Sequence, residues 1–99
     1  MIRGTTPTLQ FKLPFETSLL SAVYITFAQN EKAVIEKELH DCTTEGRTLT
    51  LRLTQEDTLK LVHSANVAIQ LRAKTNAGEA LASNIITTSV YKILKDGVI

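Results

Sequence analysis

The sequence predicts one all-β domain, a two-layer sandwich of six or seven short strands with a single short helical crossover near residues 54–61. Three observations carry that prediction. Apolar and polar residues alternate one for one along most of the chain, as they do in strands buried on one face only. Polar, turn-forming clusters interrupt the alternation about every ten residues. One window breaks the two-residue period and carries a helix-start signal. A chain of 99 residues suits a single domain, 1–99, and is long enough to bury one core without staples.

The elements follow in order. Leu9, Phe11 and Leu13 alternate with Thr8, Gln10 and Lys12, and Pro14 ends the strand. Val23, Ile25 and Phe27 alternate with Tyr24, Thr26 and Ala28. After the polar stretch Gln29-Asn30-Glu31-Lys32, Ile35, Lys37 and Leu39 share one face, and Val34, Glu36 and Glu38 the other. These two strands read as a hairpin. Asn30 tolerates a left-handed backbone, but Glu31 suits a two-residue type I′ turn poorly, so a longer loop is expected. Asp41 to Gly46 reads as a further turn. From Arg47 to Leu53, Leu49, Leu51 and Leu53 face in, and Thr48, Thr50 and Arg52 face out.

The period changes at Thr54. Thr54-Gln55-Glu56-Asp57 has the form of a capping box, with Thr54 as N-cap and Asp57 at the third helical position. One or two turns should follow, with Leu59, Leu61 and Val62 inward, until Ser64-Ala65-Asn66 ends them. Val67, Ile69, Leu71 and Ala73 then alternate with Ala68, Gln70, Arg72 and Lys74. Thr75 to Glu79 is a turn in which Gly78 supplies a positive φ. A last β segment runs from Ala80 to Ile93, with a bulge or switch point at Ser83-Asn84. Lys95 to Ile99 reads as a tail. This number of strands and spacing of turns indicates an immunoglobulin-like sandwich, with a small barrel as the alternative. The likeness is architectural, because the Cys…Trp…Cys core of antibody domains is missing.

Composition excludes several classes of function. The chain is 43% hydrophobic with a net charge of +1, and its five aromatic residues leave a mainly aliphatic core. Cations and anions are interspersed, so the basic block expected of a nucleic-acid binder is absent. Arg52, Arg72 and Lys74 could gather on one surface, but they read as a solvated face. Cys42 is the only cysteine, so no intrachain disulfide can form; this fits a reducing compartment. No apolar run approaches a membrane span, and the N-terminus lacks an apolar signal segment. Met1 reads as a true start, and the expected location is the cytoplasm, unless the chain leaves as part of a larger particle.

Candidate chemistry is sparse. His40-Asp41-Cys42 is the densest reactive cluster, but a zinc site needs about four ligands, and a thiol nucleophile needs a pocket. Glu36 and Glu38 read as a solvated strand face, and Gln55-Glu56-Asp57 as a helix start. The four glycines are too scattered to form a phosphate loop. No catalytic, cofactor-binding or metal-ligating residue is assigned, and the chain reads as non-enzymatic.

Several phrases resemble a family of small phage and prophage proteins from low-GC Gram-positive bacteria. They are Arg3-Gly4-Thr5-Thr6-Pro7 with Phe11 and Leu13; Thr26-Phe27-Ala28-Gln29-Asn30; Leu53-Thr54-Gln55-Glu56-Asp57-Thr58-Leu59; Ile69-Gln70-Leu71-Arg72; and Ala82-Ser83-Asn84-Ile85-Ile86 with Val90. In order, they cover nearly the whole chain. The pattern also looks like the N-terminal immunoglobulin-like domain of phage baseplate upper proteins, which shares the turn of leucine-threonine, acidic pair and threonine-leucine. The resemblance implies a structural or assembly role through protein–protein contacts, by self-association or with other virion components. It implies incorporation into a phage particle as an alternative location, and it supplies no functional residues. The alternative is a module that binds a small ligand or carbohydrate, for which Tyr24, Tyr91 and Gln70 are the suggestive residues.

Overall fold

The computed structural model describes residues 1–99. The strands are β1 (Thr8–Lys12), β2 (Leu20–Gln29), β3 (Lys32–Glu38), β4 (Cys42–Glu45), β5 (Thr48–Arg52), β6 (Val67–Thr75), β7 (Ala80–Ala82) and β8 (Ile86–Thr88). One helix, α1 (Gln55–Leu59), lies between β5 and β6. A three-stranded sheet has the order β1-β5-β4. A five-stranded sheet has the order β3-β2-β6-β7, with β8 also paired to β6. Every pairing within the sheets is antiparallel. The protein is therefore the all-β sandwich expected, with the helical crossover in its expected place. Its strand order is that of an immunoglobulin-like fold in which β4, β5 and β1 stand as D, E and B, and β3, β2, β6 and β7 as C′, C, F and G.

There are eight strands where six or seven were expected. Cys42–Glu45, read as a turn, pairs with β5 as strand β4. The last β segment divides at Ser83-Asn84, as its switch point suggested, but regular pairing ends at Thr88 and not at Ile93. Ser83 explains the break. Its amide donates to the Leu71 carbonyl (2.8 Å), and its hydroxyl accepts from the Leu71 amide (3.0 Å), so this side chain replaces one rung of the ladder.

Alternation placed the core correctly. Val23, Ile25 and Phe27 on β2, Ile35 on β3, Leu49 and Leu51 on β5 with Leu53 after it, and Val67, Ile69, Leu71 and Ala73 on β6 are all at most 6% exposed. Each large aliphatic side chain so buried contributes about 1.5–3 kcal/mol. Leu20, Leu61 and Val90 complete the cluster. Val62, expected inward, is instead 49% exposed: the chain leaves its helical turn there, and only its backbone is anchored.

The β2–β3 hairpin corrects one expectation. Gln29 pairs with Lys32, so the connection is only Asn30-Glu31, with φ of 51° and 65°. Both residues are left-handed, as a type I′ turn requires, and no longer loop forms. The sequence contains an irregularity that this turn requires. Continued without interruption, the tight register would oppose Phe27 to Val34 and turn Ile35 outward. The register instead shifts, so that Phe27 opposes Ile35 and Ala28 opposes Ala33, and Val34 is the extra residue of a bulge. Glu31 carries the remaining cost, since a left-handed side chain is disfavoured by about 1–2 kcal/mol. Glu31→Gly should therefore raise stability by about 0.5–1 kcal/mol after the glycine's own entropic cost, as read from the denaturant midpoint.

Candidate protein-interaction site

The phrases that carry the family resemblance are spent on internal fastening. Arg3 donates from Nε to the Leu61 carbonyl (2.7 Å) and from Nη2 to the Leu59 carbonyl (3.1 Å), which satisfies groups at the end of α1. Gly4 has φ +72°, and a Cβ there would lie 2.8 Å from Cδ1 of Ile93. The Thr58 hydroxyl donates to the Thr5 carbonyl (2.9 Å), so the first and third phrases interlock. The capping box forms as expected: the Asp57 amide donates to the Thr54 hydroxyl (3.1 Å), and the Thr54 amide to Asp57 Oδ2 (2.9 Å). Asp57 is buried and also receives Lys37 Nζ at 3.0 Å. Lys37 stands on the inward face of β3, as alternation placed it, and Asp57 is what it meets there. Burial alone would push this carboxyl up. The Thr54 amide, the Lys37 ammonium and the Thr54 hydroxyl outweigh burial and hold it below its ordinary value.

Gln29 belongs to the second phrase and points inward. Its amide nitrogen donates to the Val62 and Ala65 carbonyls (2.7 and 2.9 Å), and its oxygen accepts from the Val62 amide (2.9 Å). One buried side chain thus fastens the second half of the connection from α1 to β6, as Arg3 does its beginning. In the last two phrases, Gln70 donates to the Ser83 carbonyl (3.1 Å) beside the Ser83–Leu71 bonds. The tail docks as well: the Ile99 amide donates to Gln55 Oε1 (2.8 Å), and Asp96 lies 3.5 Å from Arg3.

The reactive types do not assemble. His40 faces solvent beside Asp41, at 3.6 Å. The Cys42 thiol donates to the Glu38 carbonyl (3.5 Å), and burial followed by the Asp41 charge pushes it up, away from the nucleophilic thiolate. No three His, Cys, Asp or Glu side chains come together as metal ligands. Arg52 lies on the three-stranded sheet, whereas Arg72 and Lys74 lie on the other, so these cations do not gather. Tyr24 and Gln70 share the outer face of the five-stranded sheet, but Tyr91 sits apart, bridged to Ile2. No helix is long and apolar enough to cross a membrane.

β1, β3 and β4 each end a sheet, and of these β1 is the one beside an apolar groove. β1 pairs with β5 on one side and with no strand on the other. Across from that free edge stand β7 and β8, the outer strands of the other sheet. Between them runs a groove of about 500 Å³ floored by Phe11, Leu13, Leu71, Leu81 and Ile86. Phe11, Leu13 and Leu81 are only half-buried, and Ile86 is 60% exposed. In the immunoglobulin-like order this is where a first strand would lie against B. The chain's own first residues are taken elsewhere: Ile2 forms a parallel bridge with Tyr91. Sequence reasoning put Phe11 and Leu13 on a core face but missed the groove, because alternation does not distinguish a central strand from an edge strand. No family model, curated protein or solved structure matches the chain.

Proposed function

We propose that this chain is a non-enzymatic structural or adaptor module of phage origin, acting through protein–protein contacts. Its β1 edge takes an extended segment of a partner. The observation that carries this reading is the free β1 edge beside an apolar groove, in a chain whose polar motifs are otherwise engaged internally. An added strand would gain main-chain hydrogen bonds from β1 and place alternate side chains among Phe11, Leu81 and Ile86. A free strand edge with half-buried apolar residues also invites unwanted pairing, which a dedicated partner would suppress. The family resemblance points the same way and favours virion proteins as that partner.

The test is binding to tail and baseplate proteins encoded by the same phage genome. Ile86→Glu, at an exposed position, should weaken that complex by about tenfold or more without lowering the melting temperature. Hydrogen-exchange protection on binding should concentrate in residues 8–14 and 81–86. Protection confined to other surfaces, or no complex with any virion protein, would overturn the proposal.

A further inference from the structure

We infer that the outer face of the five-stranded sheet is a self-complementary surface that pairs with the same face of a second copy of this chain. The register sets up the surface. Glu38 on β3, Tyr24 on β2, Arg72 on β6 and Ala82 on β7 form one row across the sheet, and Glu36, Thr26 and Gln70 form the next. Ala22, Lys74 and Ala80 make the row on the other side. These side chains point outward because their odd-numbered neighbours fill the core. The face thus carries a column of acids on β3, a column of bases on β6, and Tyr24 between them at 44% exposure. Glu36, Glu38, Arg72 and Lys74 are all exposed, and none has an ion-pair partner within the chain. Alanines at 22, 80 and 82 leave the surrounding surface low.

An isologous dimer requires a patch that matches its own image under a two-fold rotation. A two-fold axis running along β2 between two facing sheets superposes β2 on β2 and exchanges β3 with β6. The row Glu38–Tyr24–Arg72 then meets Arg72–Tyr24–Glu38 of the second copy, so Glu38 faces Arg72 twice across the interface, while Glu36 faces Gln70 and Lys74 lies one row from Glu38 of the other copy. The two tyrosines meet at the centre, where aromatic side chains contribute most to an interface. A two-fold axis across the strands would instead stack acid on acid, so charge selects the first orientation. This surface is separate from the β1 edge, and Ile86→Glu should leave it unchanged.

Sedimentation equilibrium on the whole chain, over a concentration series reaching the sub-millimolar range, tests the inference. The wild type should dimerise and dissociate progressively as salt is raised. Glu36→Lys with Glu38→Lys, and separately Arg72→Glu with Lys74→Glu, should each weaken self-association by on the order of a hundredfold. An equimolar mixture of the two double variants should recover a dimer, because each then meets the opposite charge. Coincident thermal melts show that these surface changes leave the fold intact. A wild type that stays monomeric throughout, a dimer indifferent to salt, or a mixture that fails to associate would each overturn the inference.

Discussion

Asp57→Asn is expected to cost about 2–3 kcal/mol of stability and to remove part of the acid sensitivity of the fold. The asparagine oxygen can still accept from the Thr54 amide, so most of the cap survives. What is lost is the negative charge facing Lys37, whose side chain is only 21% exposed against 7% for Asp57. An uncompensated ammonium at that depth must either drag water in or swing its stem outward. A Lys37→Met change made in the same chain should therefore recover much of the loss, and the double-mutant cycle should show coupling of at least about 1 kcal/mol.

The pH dependence follows from the direction of the Asp57 shift. Its folded carboxyl is held below the unfolded value of about 3.9, so the charged form is favoured by folding. The stabilisation is therefore complete above that unfolded value and is lost as pH falls through the lower folded value. Denaturant midpoints taken from pH 7 down to 2 should show the gap between wild type and Asp57→Asn closing in acid. A gap that stays constant across that range would mean the carboxylate charge is not what stabilises the site.

Gln29→Ala should cost about 3 kcal/mol, more than any exposed polar substitution in the chain. The side chain is buried and makes three hydrogen bonds of 2.7–2.9 Å to the backbone of Val62 and Ala65. Truncation leaves one amide and two carbonyls to find water at the base of the sandwich. The loss should also be local. Hydrogen exchange at the Val62 amide should accelerate far more than exchange in β2 or β6, because Gln29 Oε1 is the acceptor for that amide and Arg3, the other side chain bonded to the connection, reaches only the Leu61 carbonyl. Gln29→Glu separates the two halves of the interaction: it keeps the acceptor for Val62 but presents an anion to two carbonyls, so it should be no better than alanine. Uniform acceleration across the sheets would show that Gln29 acts through the core and not through the connection.

Much of this fold was legible because burial in a sandwich reduces to parity. Once Val23, Ile25 and Phe27 are placed inside, the faces of β5 and β6 follow from the same two-residue period, and Thr54 with Asp57 announces the crossover by residue type alone. The misreadings have a common physical origin. Cys42–Glu45 looked like a turn because its outward positions are all polar, yet an edge strand needs only one neighbour and little apolar content. The Asn30-Glu31 turn was discounted on the intrinsic preference of glutamate, a cost that the pairing of two long strands outweighs. The groove was invisible because which strand lies at an edge depends on topology, which periodicity does not report. Gln29 reads as part of a polar turn and Ser83 as a switch point; their partners are far away in sequence, so nothing near them in the chain reveals the bonds they make.

The parallel bridge between Ile2 and Tyr91 ties the segment before β1 to the segment after β8. The α-amino group of Met1 is likewise fastened to the Ser89 carbonyl at 2.6 Å, and Arg3 to carbonyls at positions 59 and 61. On a translating ribosome, the leading residues therefore emerge long before the segments that will hold them. The β2–β3 hairpin can close early, but β1 must wait for β5, and residues 1–3 for Ser89 and Tyr91. Assembly of this domain is consequently completed only once Tyr91 has emerged, and a nascent chain stalled before β5 would display the unpaired β1 strand to its surroundings.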